Sequence, residues 1–250
     1  MAKLDGVQAP ADVQSRLRQL CDELSRAVGA KLAGVVLYGG VARGRYRPGA
    51  SDVNLLILLT DVSAETLAAA AGPLRTAWRA VRVEPLVLTP DELRRVAAVF
   101  PTKILDIQER HIVLNGQDPF TGLSIDKQHL RLRTEQELRN LALRLRRRYF
   151  AAYDDPTDLA AALRRVARGL AVQLSMLLRL AGEPIPAEDR TADIYSASAT
   201  AFGLDADALA HLAALRQSAE SHGGDVAAWY NRVLSTVSRA ADYAGQMKVA

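Results

Sequence analysis

The sequence predicts an α+β protein in which a small mixed sheet with its helices is followed by an all-α helical bundle. Short apolar runs of strand length alternate with helix-like stretches through about the first 120 residues, whereas no run typical of a strand follows residue 124. Leucine and valine instead recur at spacings of three and four in the second half, which is the period of an α-helix. We therefore predict two domains in this 250-residue chain, an α/β domain over 1–122 and a helical bundle over 123–250.

Four short apolar runs in the first half are predicted as strands. The run VNLLILL at Val53–Leu59 is apolar on both faces, which is typical of a central strand. The others are predicted at Leu32–Tyr38, at 81–88, and at 110–114, where Asn115-Gly116 is expected to close the strand.

Capping signals place the helices of the first half. Apolar residues repeat over 13–28, and Gly29 follows as a C-terminal cap. A helix over 63–80 contains Gly72-Pro73 and is expected to kink or split there. Thr89-Pro90-Asp91-Glu92 has the form of a capping box and opens a further helix.

The second half is predicted to contain four or five antiparallel helices. One stripe runs over 130–149, and a second begins at Asp155-Pro156 and ends at Gly182. Two shorter stripes lie at 209–215 and 226–237.

Composition excludes several classes of protein. The one cysteine, Cys21, cannot support a disulfide framework or a cysteine-rich zinc site, and its place near an apolar helix stripe predicts burial. No apolar run reaches the roughly 18 residues of a membrane span. The first residues contain no apolar signal segment, so we expect a cytoplasmic protein with no membrane partner. The net charge of +4 is compatible with a phosphate-bearing partner.

A glycine turn follows the first predicted strand. That strand ends in Gly39-Gly40, and two glycines let the backbone approach a ligand closely and point its N–H groups at an anion. Arg43, Arg45 and Arg47 follow at once and supply positive charge. This combination predicts a phosphate-binding turn.

Oxygen-bearing side chains open the next strand. Asp52 and Asn54 are separated by one residue, so on a strand they point to the same face. Glu84 lies on the third predicted strand and supplies a further carboxylate. Backbone donors, basic side chains and converging oxygen ligands together are typical of a site for Mg²⁺ and a nucleoside triphosphate.

The stretch 37–56 resembles the signature of the DNA polymerase beta-like nucleotidyltransferase superfamily, in which a strand and a glycine turn precede an Asp-x-Asp or Asp-x-Glu motif. It looks most like small bacterial members such as the aminoglycoside nucleotidyltransferases, which carry a C-terminal helical domain. The motifs cover about 30–90. The resemblance implies a mixed-sheet core that binds ATP or another nucleoside triphosphate through Mg²⁺, after which a substrate hydroxyl accepts the nucleotidyl group and pyrophosphate is released.

The resemblance also assigns roles to particular residues. The expected nucleotide-binding residues are Gly39, Gly40, Arg43 and Ser51. The positions of the three metal-binding carboxylates fall on Asp52, Asn54 and Glu84, of which Asp52 and Glu84 are the expected catalytic residues. The general base is left open among Asp106, Glu109 and Glu135.

Two residues depart from the family's pattern. Gly40 stands where the family has a serine, which removes a hydroxyl contact to phosphate. Asn54 stands where it has a second carboxylate, and a neutral amide oxygen holds Mg²⁺ less strongly than an anionic oxygen. We therefore expect a degenerate metal site of reduced efficiency. The alternative is a non-catalytic nucleotide-binding or interaction module that keeps the fold without turnover.

The helical half contains two patterns that bear on other partners. Seven arginines lie on its first predicted helix, but few aromatic residues lie among them, so we interpret the run as a solvated face with Glu135 and Glu137 as acidic partners. Arg216 and His222 fit loosely the pattern of HEPN-type ribonuclease toxins, which leaves a toxin–antitoxin component open. The expected partners are a nucleotide and an unidentified hydroxyl acceptor. Nucleic acid is disfavoured, and a homodimer is left open.

Overall fold

A computed structural model of the protein describes residues 4–186, 191–217 and 225–249. The chain divides into two compact units, Met1–Ile125 and Asp126–Ala250. Within these described residues, the first unit contains four strands and four α-helices, and the second contains five α-helices and no strand. The predicted α+β class is confirmed.

A mixed sheet forms the centre of the first unit. Its strands are β1 (Leu32–Tyr38), β2 (Val53–Leu59), β3 (Val83–Leu88) and β4 (His111–Gly116), in the order β3-β2-β1-β4. β1 runs antiparallel to both β2 and β4, whereas β2 and β3 are parallel. Every residue of β2 except Asn54 is buried, which confirms the prediction of a central strand that is apolar on both faces.

Helices cover both faces of this sheet. α1 (Ala11–Val28) and α2 (Ala64–Val81) share one hydrophobic cluster with Val35 and Leu55. α3 (Pro90–Val99) and α4 (Pro101–Glu109) share the other with Val36 and Leu56. Successive strand residues therefore serve opposite cores, as the pleat requires.

Two strand boundaries differ from the prediction. Val81 is the last residue of α2, and Arg82 turns the chain with a φ of 54° before β3 begins. Asn115-Gly116 does not close β4 but continues it, because these residues pair with Val35 and Gly34 of β1. A register shift in this pair accommodates one extra residue of β4.

The predicted helices of the first unit need one correction and one addition. α2 runs unbroken through Pro73, so the expected split is wrong. Gly72 precedes this proline and lacks the Cβ that would clash with the pyrrolidine ring in a helix. α4 is missing from the prediction, because only Ile104 and Ile107 mark its buried face after the proline at its start.

The second unit is a bundle of α5 (Lys127–Ala151), α6 (Pro156–Ala181), α7 (Thr191–Phe202), α8 (Ala206–Gln217) and α9 (Val226–Gln246). Asp155 caps α6 and Gly182 ends it, as predicted. α7 is missing from the prediction, since two of its five buried residues, Ser198 and Ala199, are small and interrupt the apolar pattern. None of the described helices is long and apolar enough to cross a membrane.

Candidate active site

Three side chains from three strands form a row across the sheet. Asn54 of β2 is the Cα partner of Glu84 on β3 and of Tyr38 on β1. Directly paired residues share a face of the sheet. Tyr38 packs against the α3–α4 hydrophobic cluster, so the row lies on that face. The register thus brings together two of the three predicted metal ligands, Asn54 and Glu84.

The position of β3 at the sheet edge explains the sequence around Glu84. Pro85 follows Glu84 directly, and a proline cannot donate a hydrogen bond within a central strand. β3 pairs only with β2 in the described sheet and is therefore an edge strand, where a proline is tolerated. Glu84 is exposed at this edge and accessible to a ligand.

The glycine turn is built against the same row. Gly39 has a φ of +76°, and a Cβ on it would lie 2.9 Å from Nδ2 of Asn54. Glycine suits this position, because an L side chain is strained in this backbone conformation and a Cβ would force the amide of Asn54 to move. Gly40 is different, since a Cβ there would come no closer than 3.9 Å to another atom, the carbonyl oxygen of Arg45.

The loop after the turn closes on itself. The backbone N–H of Arg45 donates to the carbonyl of Gly40 over 2.8 Å. The hydroxyl oxygen of Ser51 accepts a hydrogen bond of 2.8 Å from the backbone N–H of Arg47. Ser51, predicted to bind nucleotide, therefore holds the loop that leads into Asp52.

Arg43 bridges this loop to α4. Its Nη2 donates to the carboxylate of Asp106, and the same nitrogen lies 3.4 Å from the main-chain carbonyl of that residue. The predicted phosphate ligand is thus joined to one of the candidate general bases. The candidate Glu135 instead lies in the second unit, where it pairs with Arg131 and Arg139.

Asp52 faces a cation that the sequence analysis did not identify. Its Oδ1 lies 2.7 Å from Nη2 of Arg82, the residue between α2 and β3. Nη1 of Arg82 also lies 3.4 Å from the carbonyl oxygen of Gly49 in the preceding loop. The available signal was weak: Arg82 lies two residues before Glu84, inside a run interpreted as strand.

Tyr38 is a further residue of the site that sequence reasoning missed. Burial raises the pKa of its hydroxyl above the ordinary value of 10.0, and the negative charges of Glu84 and Asp106 raise the pKa further. The hydroxyl therefore keeps its proton at neutral pH and can donate a hydrogen bond to a ligand. The signal in the sequence was its place directly before the glycine turn.

Asp52, Asn54 and Glu84 offer hard oxygen ligands of the kind that Mg²⁺ prefers. Two carboxylates and one amide oxygen fit a single divalent cation. No group of three or more His, Cys, Asp and Glu side chains within the described ranges is arranged to hold a metal ion. The fit to Mg²⁺ therefore rests on the chemistry of these three oxygen donors, one of which is an amide, and the guanidinium of Arg82 competes for Asp52.

The pair from the toxin pattern can be followed only in part. Arg216 donates a hydrogen bond to the hydroxyl of Thr191 at the start of α7. His222 lies outside the described residues.

Comparisons with known proteins agree with this fold. Residues 17–114 match the model of the nucleotidyltransferase domain, which confirms the resemblance to the polymerase beta-like superfamily. This match spans β1 to β3 and the first four residues of β4, and it includes every residue of the row. The first unit is therefore similar to nucleotidyltransferase domains over most of its length.

A solved structure is similar in fold over most of the chain. Spectinomycin adenyltransferase AAD(9) from Enterococcus faecialis, solved with ATP and spectinomycin, superposes with a TM-score of 0.53 at 12% sequence identity. The similarity covers 93% of this chain and 99% of that one, and at this identity it concerns the fold. No curated protein matches the chain in sequence.

Proposed function

We propose that the protein is a cytoplasmic nucleotidyltransferase that transfers a nucleotidyl group from ATP or another nucleoside triphosphate to a hydroxyl of a small molecule. The observation that carries this proposal is the row of Glu84, Asn54 and Tyr38 set against the Gly39 turn. The row supports the proposal because two side chains with oxygen atoms and one hydroxyl lie side by side on β3, β2 and β1, next to a backbone turn that a ligand can approach closely. A small-molecule acceptor is favoured over a protein because the structurally similar adenyltransferase was solved with ATP and spectinomycin.

The reaction forms one bond and breaks one. The acceptor oxygen bonds to the α-phosphorus, the bond from that phosphorus to the bridging oxygen breaks, and pyrophosphate leaves with the bonding electrons. The hydroxyl proton passes to a base. Mg²⁺, when bound by Asp52, Asn54 and Glu84, offsets the charge of the triphosphate.

The chain's own residues have separate tasks in this proposal. Gly39 and Gly40 allow the triphosphate to approach the backbone, and Arg43 adds a charge-assisted contact. The hydroxyl of Tyr38 donates a hydrogen bond to an oxygen of the nucleotide or of the acceptor and so orients it. Asp106 holds Arg43 and is therefore less suited to accept a proton, since its carboxylate already pairs with a guanidinium.

One observation favours the alternative of a non-catalytic nucleotide-binding module. Asn54 is neutral and Asp52 is paired with Arg82, so only Glu84 of the three predicted metal ligands carries an uncompensated charge. Weak metal binding would leave nucleotide affinity without efficient turnover.

Calorimetric titration of ATP with and without Mg²⁺, combined with a pyrophosphate-release assay, separates these functions. The transferase is expected to bind ATP and to release pyrophosphate when a hydroxyl-bearing acceptor is added. Affinity without turnover across a panel of small acceptors would favour the module. Glu84→Gln is expected to weaken ATP binding when Mg²⁺ is present and to leave ATP binding unchanged when Mg²⁺ is absent. If the wild type binds no nucleoside triphosphate at all, both the transferase and the non-catalytic module are contradicted.

A further inference from the structure

Arg82 occupies an unusual backbone position. It is the one non-glycine residue with a positive φ in the described part of the chain, at 54°. Such a conformation is disfavoured for a residue with a Cβ, whereas glycine adopts it freely. A strained residue retained at a site motivates a functional explanation.

The backbone of Arg82 is fixed from both sides. Its N–H donates to the carbonyl of Trp78 over 2.9 Å at the end of α2, and its carbonyl accepts a hydrogen bond of 3.0 Å from Val53. Val53 is the first residue of β2 and lies between Asp52 and Asn54, two of the predicted metal ligands. The hydrogen bond to Val53 therefore holds the backbone of Arg82 beside the start of β2, next to the predicted metal ligands.

From this anchor the guanidinium reaches Asp52. Nη2 lies 2.7 Å from Oδ1, which is the spacing of a direct ion pair. The pair is partly exposed, with 56% of the Arg82 side chain and 42% of the Asp52 side chain accessible. Exposed pairs contribute little to stability, so a ligand of higher charge is able to displace the arginine.

We propose that Arg82 competes with the divalent cation for Asp52 and so sets the metal affinity of the site. The inference rests on the proposed function, because it requires Asp52 to be a metal ligand. Asp52, Glu84 and Arg82 together carry a single net negative charge, whereas the two carboxylates alone carry two. Removing Arg82 leaves both oxygens of Asp52 available and strengthens the attraction for a divalent ion.

Binding of Mn²⁺ to the full chain in the absence of nucleotide, followed by electron paramagnetic resonance, tests the proposal. Arg82→Gln is expected to bind Mn²⁺ at least about tenfold more tightly than the wild type. Arg79→Gln, which removes an exposed arginine one turn earlier in α2, serves as the charge-matched control and should leave the affinity unchanged. Adding Asp52→Asn to Arg82→Gln should abolish the gain.

A second variant guards against a folding defect. Arg82→Gly removes the same guanidinium and suits the left-handed backbone, so it should fold at least as well as the wild type and show the same gain in Mn²⁺ affinity. Equal Mn²⁺ affinities in the wild type and both Arg82 variants would overturn the proposal.

The outcome also separates this inference from the proposed function. If ATP binds the wild type in a Mg²⁺-dependent manner but the Arg82 variants bind Mn²⁺ no more tightly, the competition alone is wrong. If no variant binds Mn²⁺ and ATP binding never responds to Mg²⁺, Asp52 is not a metal ligand and both are overturned.

Discussion

Nη2 of Arg43 donates to the carboxylate of Asp106 and lies 3.4 Å from its main-chain carbonyl, which joins the loop after β1 to helix α4. Only 14% of the Arg43 side chain is accessible, against 42% for Asp106. The arginine that was predicted to hold phosphate therefore also holds α4 against the site. Its two roles are separable by mutation, because only one of them needs Asp106.

Arg43→Ala should weaken ATP binding by about 1.5–3 kcal/mol, since it removes one charge-assisted phosphate contact. Asp106→Asn should lower the melting temperature but leave ATP affinity undiminished, because the guanidinium remains. Calorimetry and thermal unfolding measure the two effects. Arg146→Ala, on an exposed face of α5, is the control. Loss of ATP binding in this control but not in Arg43→Ala would place the nucleotide elsewhere.

The two glycines of the turn should respond oppositely to a side chain. Gly39→Ala puts a Cβ 2.9 Å from Nδ2 of Asn54 in a left-handed backbone, so unfolding free energy should fall by about 1–3 kcal/mol. Gly40→Ser places its Cβ in ordinary contact at 3.9 Å and should fold normally. The added hydroxyl should raise ATP affinity if the turn binds phosphate. Urea unfolding and ATP titration of both variants check this pair.

Much of this site could be predicted from sequence because it depends on short local patterns. A glycine turn before a strand, and Asp52 and Asn54 at alternate positions, need no tertiary information. Arg82 and Tyr38 could not be identified in the same way. Their importance depends on register and on a left-handed turn between α2 and β3, which hydrophobic periodicity does not report.

The central strands could be predicted from sequence, whereas the ends of some elements could not. β1 and β2 lie where the apolar runs predicted them, because buried strands are continuous apolar segments. β4 ends where its pairing with β1 ends. α2 continues through Pro73 because a glycine precedes that proline. The hydrophobic pattern of a segment reports neither the pairing of β4 with β1 nor the effect of the glycine before Pro73.

Alkaline pH should destabilise the fold. Burial, with a smaller effect from Asp22, raises the pKa of the Cys21 thiol from 9.0 to about 12, and burial raises the pKa of Tyr230 from 10.0 to about 12. The unfolded chain therefore loses these protons first, so stability is fully present below pH 9 and falls as pH rises towards 12. Urea midpoints between pH 8 and 11 should decline, and Cys21→Ala with Tyr230→Phe should flatten the decline. An unchanged slope in the double variant would assign the effect to other groups.

The division into domains is testable with two fragments. Leu123 and Ile125 pack against the α3–α4 cluster of the first unit, and the side chain of Gln108 donates to the carbonyl of Leu123 over 2.9 Å. A fragment of residues 1–125 should therefore be more stable than one of residues 1–122, and both should keep the sheet. Circular dichroism and thermal unfolding give the comparison. Equal stability of the two fragments would mean that these contacts contribute nothing, and loss of the sheet in both would contradict an independent first domain.

Asn54→Asp restores the carboxylate that the family's pattern expects. The change is nearly isosteric, so the central strand should accept it, but it sets a second negative charge beside Glu84, the Cα partner of Asn54. In chelator this variant should be less stable than the wild type by about 1 kcal/mol, because the like charges repel. With millimolar Mg²⁺ and ATP the order should reverse, since a ligand that binds only the folded state stabilises it by mass action.

Differential scanning fluorimetry in the two buffers measures this effect. We expect Asn54→Asp to have a lower melting temperature than the wild type in chelator, and a larger rise in melting temperature than the wild type when Mg²⁺-ATP is added. Pyrophosphate release should also rise, because the metal site gains an anionic ligand. Asp52→Asn is the control and should remove the Mg²⁺ response whether residue 54 is the original asparagine or the introduced carboxylate. If Asn54→Asp behaves like the wild type in both buffers, residues 52, 54 and 84 do not converge on a metal, and the non-catalytic module becomes the better account of this nucleotidyltransferase fold.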